Sequence, residues 1–334
     1  MKPDAVPTLT PGAGDAQARR PQTEVSLTRV GVTGVEKVLH VGAEGADPQL
    51  YYAELECYVD LEPRQAGVHM SRFEEVVSEA IDAVVLGEAL KAELLAAHIA
   101  EHVRERQAGI RAEVTIAARY PETVTTPESG RSTQEIYTLF GTAVASERGT
   151  RTLTGVQAQG MTACPCAQGL VADRARLRLE EQGYDADEID SIFDAVPVAT
   201  HNQRGIGTLH VGRPEGSPVE LDARDLLRIV EESMSSEIYE LMKRSDEVSV
   251  VERAHRRPRF VEDCVREMVA SVCERYPDLA DDAFLLARQE NLETIHRHNV
   301  VAERAGTVGE IRAEIETGEH SRRHTPRREW LEAM

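Results

Sequence analysis

The chain has 334 residues and a formal net charge of −20 at pH 7, which argues against a nucleic-acid-binding protein because phosphate contacts need a basic surface. Only four of its 38 basic residues are lysines. Few lysines together with an excess of carboxylates are typical of proteins adapted to high intracellular salt. No apolar run is long enough to span a membrane, the N-terminus lacks a signal-peptide pattern, and five cysteines are an odd number, so we expect a cytoplasmic protein without disulfides or a membrane partner.

The two ends of the chain differ from its middle. Residues 1–24 are rich in proline, glycine, threonine and alanine without periodicity, and we expect them to form a disordered arm. Residues 317–334 are charged, rich in histidine and arginine, and contain the only tryptophan, Trp330. We interpret this stretch as a mobile tail, with a docking segment as the alternative.

The middle of the chain is predicted to contain two similar modules, over residues 25–150 and 151–316. In the first module, every second residue from Tyr51 to Val59 is apolar, which is typical of a half-buried strand. The predicted elements of this module are strands over 25–41 and 51–61, a helical stretch over 71–106, and strands over 110–120 and 135–146.

The second module repeats this order loosely. Its predicted elements are strands over 151–163 and 206–211, helices over 223–242 and 259–275, and strands over 283–289 and 295–302. A charged segment over 174–195 is predicted to be a helical insertion. A repeated order of two strands, two helices and two strands implies an α+β fold, in which helices cover one face of an antiparallel sheet.

Two short polar motifs, Cys164-Pro165-Cys166 and His201-Asn202-Gln203-Arg204, carry groups that bind divalent metals. Side chains at positions i and i+2 do not converge easily, so Cys164 is the preferred ligand, and Cys166 lies beside it for proton handling or redox response. Arg204 suits bidentate binding of a phosphate. The alternatives are a buried structural cysteine for the first motif and a polar turn for the second.

Further polar residues complete a candidate site. Glu237 is predicted on the helix over 223–242 beside its apolar stripe; with Cys164 and His201 it makes three metal ligands and leaves a fourth position for water. A solvated glutamate is the alternative. The remaining candidates are Glu293 and His296 for acid–base chemistry, with a polar strand end as the alternative, and His69 and Arg72 for an anion site.

Together these motifs resemble the GTP cyclohydrolase IB family and its archaeal relative in methanopterin synthesis. The matching segments occur in order between about residue 27 and residue 300, and their combination is specific although each is weak alone. They are Gly31–Val35, Gly67–Phe73, Cys164–Cys166, His201–Arg204, Ser236–Tyr239, Lys243–Glu247, Arg259–Asp263 and Glu293–His296.

The resemblance implies a tunnelling fold with two tandem ββααββ-like modules per chain, a homotetramer with sites at subunit interfaces, and GTP as the substrate. By motif, the implied metal ligands are Cys164, His201 and Glu237. The implied catalytic residues are Cys164, Cys166, Glu293 and His296. Glu252 is implied as the carboxylate that binds the guanine edge, and His69, Arg72 and Arg204 are the other candidate substrate-binding residues.

The implied reaction is metal-dependent hydrolysis of GTP at guanine C8 with release of formate. His201 follows Cys164 by 37 positions, and this insertion resembles the archaeal type, which prefers Fe(II) and makes 7,8-dihydroneopterin 2′,3′-cyclic phosphate and pyrophosphate. We expect this product, on the way to tetrahydromethanopterin or folate, with Mn(II) or Zn(II) as possible substitutes for Fe(II). The alternatives are the bacterial-type product 7,8-dihydroneopterin triphosphate, an enzyme for other pterins or deazapurines, and a non-catalytic purine- or metal-binding protein on the same fold.

Overall fold

An antiparallel sheet organises the protein in the computed structural model, which describes residue 17 and residues 20–41, 49–83, 91–321 and 323–333. Within these residues the sheet has nine strands, in the order β1-β2-β3-β4-β5-β6-β8-β9, and β7 pairs with β5. The strands are β1 (Leu27–Val41), β2 (Gln49–Leu61), β3 (Arg111–Thr125), β4 (Ser132–Ser146), β5 (Gly149–Ala163), β6 (Asn202–Arg213), β7 (Ser236–Glu237), β8 (Phe284–Leu292) and β9 (Val300–Thr307).

The helices pack mainly on one face of this sheet. They are α1 (Met70–Ala83), α2 (Ala92–Gln107), α3 (Pro165–Glu181), α4 (Ala186–Ala195), α5 (Ala223–Ser233), α6 (Arg244–Arg256), α7 (Val261–Arg275), α8 (Val308–Thr317) and α9 (Arg327–Glu332). The main core lies between the strands and helices α1, α2, α5 and α7. The alternating residues from Tyr51 to Val59 are buried in it, as the sequence predicts. No helix in the described ranges is long and apolar enough to cross a lipid bilayer.

The predicted fold class, a tunnelling fold with two tandem ββααββ-like modules, is wrong. The strands of both halves form one continuous sheet, because β4 pairs directly with β5 from Thr138↔Gln157 to Ser146↔Gly149. The second half is also not a simple copy of the first. Helices α3 and α4 separate its first two strands, and β7 and α6 lie between its other elements. Consecutive strands joined by a tight hairpin pair with each other, so the boundary between the predicted modules is not a break in the sheet.

The prediction that helices cover one face is also incomplete, because α9 packs on the opposite face. Trp330 is 2% exposed and contacts Val144, Leu153 and Phe284 in a separate cluster. Val144 alternates along β4 with Ala143 and Ala145, which belong to the main core, so the two clusters lie on opposite sides of the sheet. The stretch predicted as a mobile tail therefore contains a packed anchor at Trp330.

A close approach between Trp330 and β6 explains one glycine. A Cβ atom at Gly212 would lie 2.7 Å from the nearest atom of the Trp330 ring, so a larger residue would displace the indole. The indole Nε1 also donates a hydrogen bond to the carbonyl oxygen of Asp282 at 2.6 Å. Buried tryptophan needs such a partner for its polar end.

The helix predicted over 223–242 is shorter in the structure. Helix α5 ends at Ser233, and Glu237 lies in the two-residue strand β7, where it pairs with Gly160 of β5. Serines favour turns and caps over helix interiors, and Ser233, Ser235 and Ser236 follow each other closely here. The described part of the expected N-terminal arm is residue 17 and residues 20–24; the remainder of that prediction lies outside the described residues.

Candidate active site

Cys164 and His201 lie side by side although 37 positions separate them in the chain. Strand β5 ends at Ala163 and β6 begins at Asn202, and these two residues are paired in the sheet. The backbone N–H of Cys164 donates a hydrogen bond to the carbonyl oxygen of His201 at 3.1 Å. Helices α3 and α4 therefore connect two strand ends that are neighbours in the sheet, and the two motifs stay adjacent in space.

The two cysteines occupy the start of α3. Cys164 is the N-cap residue, and its Sγ accepts a hydrogen bond from the backbone N–H of Ala167 at 3.5 Å. Pro165 follows in the first helical turn, where its missing N–H costs no helical hydrogen bond. Cys164 is half-buried beside His201, whereas Cys166 is exposed. The two thiols therefore differ in their exposure to solvent.

Glu293 brings a buried carboxylate to the same place. It follows β8, whose last residue, Leu292, pairs with Arg204 of β6. Glu293 Oε2 lies 3.7 Å from Nδ1 of His201, and the Glu293 side chain is 7% exposed. This oxygen has no hydrogen-bond partner among the described residues. A buried carboxylate oxygen without a donor costs free energy, so it indicates that a proton, a substrate group or a cation belongs beside it.

Gln203 orients the imidazole of His201. Its Oε1 lies 3.1 Å from Nδ1 of His201, and Gln203 is buried. Because an amide oxygen only accepts hydrogen bonds, Nδ1 carries the proton in this arrangement. Nε2 then keeps its lone pair for a metal ion.

Glu237 lies at the edge of β5 that is opposite to β6. Strand β4 pairs with β5 only as far as Gln157, and β7 uses the free edge beyond this point. The carboxylate of Glu237 forms an ion pair with Arg253. The donor atoms of Cys164, His201 and Glu237 do not all lie within 4.8 Å of one another. The thiol of Cys164, the imidazole of His201 and the carboxylate of Glu293 lie at one end of β5, and Glu237 pairs with the same strand at Gly160. By donor chemistry this set suits a divalent cation.

His296 lies on the loop between β8 and β9, and its ring stacks on that of His298 with centroids 5.2 Å apart. The hydroxyl of Thr294 in this loop donates a hydrogen bond to the carbonyl oxygen of Asn202 at 3.1 Å. The loop that carries Glu293 and His296 is therefore attached to the residue that follows His201. His296 itself is exposed.

A cleft of about 700 Å³ begins beside this cluster. Gln203 links the two regions, because it contacts His201 and also lines the cleft. Arg204 is exposed and lines the cleft as well, so the guanidinium predicted to bind phosphate lies on its wall. Other polar side chains on the walls include those of Arg119, Gln157, Gln159 and Tyr239.

Three of the predicted substrate-binding residues do not line this cleft. His69 and Arg72 lie at the start of α1, where the carbonyl oxygen of His69 accepts a hydrogen bond from Gln107 Nε2 at 2.8 Å. Arg72 Nη1 donates a hydrogen bond to the carbonyl oxygen of Arg106 at 3.2 Å. Glu252 is exposed on α6 and does not line the cleft either.

Glu231 is a further glutamate on the cleft wall, and it was not among the residues predicted from the sequence. Burial, as the main cause, raises the pKa of Glu231 from its ordinary value of 4.5 to about 7, against the effect of a hydrogen bond from Tyr137. The Tyr137 hydroxyl donates this bond to Glu231 Oε1 at 2.7 Å. The carboxylates of Glu237 and Glu135 raise the pKa further. Helix periodicity places Glu231 one turn after Leu227 on the apolar stripe, and this was the available signal.

The architecture is similar to that of the uricase from Arthrobacter globiformis. The TM-score is 0.51 at 9% sequence identity, over 90% of this chain and 98% of that one. At this identity the likeness concerns the fold alone. It corrects the predicted fold class, because the solved structure that has the similar fold is a uricase.

Residues 14–302 match the model of the type I GTP cyclohydrolase folE2 family, and the chain belongs to that family of enzymes. It is 41% identical to the GTP cyclohydrolase MptA of Methanococcus aeolicus over 307 residues, which cover 90% of this chain and 99% of the relative. It is also 41% identical to the MptA of Methanothermobacter thermautotrophicus over 307 residues, which cover 90% and 96% of the two chains. The predicted membership of a GTP cyclohydrolase family is confirmed.

Proposed function

We propose that this protein hydrolyses GTP at guanine C8 in pterin biosynthesis and releases C8 as formate. The observation that carries the proposal is the meeting of Cys164, His201 and Glu293 at one end of β5 and β6, beside an open cleft. Among the described residues, Oε2 of Glu293 has no hydrogen-bond partner. The names of the relatives, GTP cyclohydrolase MptA, support the same reaction.

Cys164, His201 and Glu237 are the residues that we propose as ligands of a divalent metal, with Fe(II) as the preferred ion and Mn(II) or Zn(II) as substitutes. Such a metal, when bound, supplies Lewis-acid activation of water. The proton on Nδ1 of His201, held by Gln203, leaves the other ring nitrogen available. Arg253 pairs with Glu237 and holds that carboxylate close to β5.

The chain's own residues supply the acid–base chemistry. Glu293 accepts a proton from the attacking water, because its buried Oε2 has no other donor among the described residues. His296 delivers a proton to the ring nitrogen that leaves C8, since its loop is attached beside His201 through Thr294. Cys166, which is exposed in the first turn of α3, assists in proton handling.

Arg204 on the cleft wall binds the phosphate chain, and Glu252 binds the guanine edge. We propose 7,8-dihydroneopterin 2′,3′-cyclic phosphate and pyrophosphate as the products. The helix pair α3 and α4 between Cys164 and His201, together with the identity to MptA, supports this choice. The second candidate product is 7,8-dihydroneopterin triphosphate.

Anaerobic incubation of the purified protein with GTP and Fe(II), followed by mass and phosphorus analysis, tests the proposal. The cyclic phosphate with formate and pyrophosphate is the expected result. The triphosphate with formate would support the second candidate instead, and no formate at all would overturn the cyclohydrolase proposal. Cys164→Ser is expected to abolish formate release, whereas the matched control Cys273→Ser, on the distant helix α7, should retain it.

We further propose that the protein is a homotetramer whose sites lie at subunit interfaces. The support is that His69, Arg72 and Glu252 do not line the cleft of their own chain. Mixing two inactive variants, Cys164→Ser and Glu252→Gln, tests this arrangement. If each site combines residues of two chains, random reassembly should restore about a quarter of the sites. If each site lies within one chain, the mixture should stay inactive.

A further inference from the structure

We propose that Glu314, His320 and His324 form a second cation site, separate from the candidate active site. One donor atom of each residue lies within 4.8 Å of the donor atoms of the other two. The site shares no residue with the cluster around Cys164 and His201. Its ligand class is a borderline divalent metal ion such as Zn²⁺, and its role is to fasten the C-terminal segment, residues 319–321 and 323–333, to α8.

The end of α8 brings the three residues together. Glu314 lies in the last turn, and the helix ends at Gly318 with a left-handed φ of 68°. This conformation suits glycine and reverses the chain direction. The backbone N–H of Ser321 then donates a hydrogen bond to Glu314 Oε1 at 3.0 Å, so the chain on either side of Ser321 is held against the same carboxylate.

The two oxygens of Glu314 have different surroundings. Arg304 contacts Oε2 through Nη2 at 3.1 Å and through Nε at 3.3 Å. Oε1 instead lies 4.0 Å from Nδ1 of His324. A carboxylate that binds a metal through one oxygen is usually held by a hydrogen-bond donor at the other. Arg304 fills this supporting role here.

The two imidazoles complete the ligand set. The rings of His320 and His324 have centroids 5.5 Å apart and are tilted by 58°. Tetrahedral Zn²⁺ requires neighbouring donor atoms about 3.3 Å apart, from metal–nitrogen bonds of about 2.0–2.1 Å. Both histidines are exposed, so small rotations of their side chains bring the donors to this separation. Two histidines and one carboxylate favour Zn²⁺ or Co²⁺ over Mg²⁺ or Ca²⁺, which prefer oxygen ligands.

The position of the site gives it a structural role. Further along the segment, the hydroxyl of Thr325 donates a hydrogen bond to Glu310 Oε1 at 2.6 Å. Trp330 then packs on the far face of the sheet and is 2% exposed. A cation bound between α8 and residues 320 and 324 cross-links α8 to the segment that leads to the Trp330 anchor. Metal loading is therefore expected to hold Trp330 in place.

The test uses the full chain with the active-site ligands removed by Cys164→Ser and His201→Ala, so that its outcome does not depend on the proposed reaction. This protein, freed of metal with a chelator, is titrated with Co²⁺. The expected result is about one ion per chain with the visible absorption of tetrahedral Co²⁺. Adding His320→Ala and His324→Ala should remove that ion, whereas His102→Ala, an exposed histidine on α2, should not.

Trp330 supplies a second readout because it is the only tryptophan. Zn²⁺ should reduce acrylamide quenching of its fluorescence in the chain that keeps both histidines and should have no effect in the double histidine variant. Glu314→Gln should weaken Co²⁺ binding at least tenfold while leaving the fold intact. Equal Co²⁺ binding with and without His320 and His324 would overturn the proposal.

Discussion

Replacing Glu231 by glutamine should change how the stability of the metal-free protein depends on pH. Burial raises the pKa of Glu231 in the folded chain to about 7, whereas its ordinary value, expected in the unfolded chain, is 4.5. The difference corresponds to about 3 kcal/mol in favour of the protonated form. Glutamine is neutral, has nearly the same shape and keeps an oxygen that accepts the hydrogen bond from Tyr137.

The sign of the effect follows from the raised pKa. Below about pH 4.5 glutamate is protonated in both the folded and the unfolded chain, so its full contribution to stability is present. As the pH rises from about 4.5 through about 7, Glu231 loses its proton first in the unfolded chain. The contribution of the protonated side chain to the free energy of unfolding is then lost. At pH 8 the Glu231→Gln variant should therefore exceed the unmodified protein in free energy of unfolding by about 3 kcal/mol, and at low pH the two should agree.

Urea unfolding at a series of pH values, with a chelator present, measures this difference. Glu232→Gln is the matched control, because Glu232 is the next residue of α5 but its side chain is 52% exposed and paired with Arg275. The control should follow the unmodified protein to within about 0.5 kcal/mol. A Glu231→Gln curve that stays parallel to the unmodified one between pH 4.5 and pH 8 would refute the reasoning from burial.

Four further predictions concern the site, the core, the anchoring of α6 and the surface. Glu293→Gln should lower the rate of formate release about 100-fold or more without weakening GTP binding, and equal rates would contradict its role as a base. Trp330→Ala should lower the free energy of unfolding by about 3–5 kcal/mol, measured by urea titration, because it empties the cluster on the far face. Burial alone would raise the pKa of Asp246, but hydrogen bonds from Ser129, Lys243 and Glu128 outweigh it and lower the pKa, so Asp246→Asn should reduce the melting temperature at pH 7 and lessen the loss of stability on acidification. With a net charge of −20, the melting temperature should rise on going from dilute buffer to molar KCl, and a fall would contradict the proposed salt adaptation.

The sequence determined those features that depend on local periodicity. The alternation from Tyr51 to Val59 predicted a strand with one buried face, and these positions are 0–2% exposed at every second residue. The face of the first long helix that carries Phe73, Val76 and Val77 is buried as well. Period-two and period-3.6 patterns show which side of an element faces the core. They can therefore be recognised without knowing which other element packs against that side. The motifs also sufficed to predict the family.

The ends of the elements and the meetings of distant residues depend instead on tertiary contacts. Helix periodicity continued through Met234 and Ile238, but pairing with the free edge of β5 placed Glu237 in a strand. The raised pKa of Glu231 depends on burial by other elements and on the nearby carboxylate of Glu237. The meeting of Glu293 with His201 depends on the pairing of β6 with β8. The anchor at Trp330 likewise needs a surface built from β4, β5 and β8. Such contacts join residues far apart in the chain, and their free energy comes from packing and desolvation that no local pattern contains.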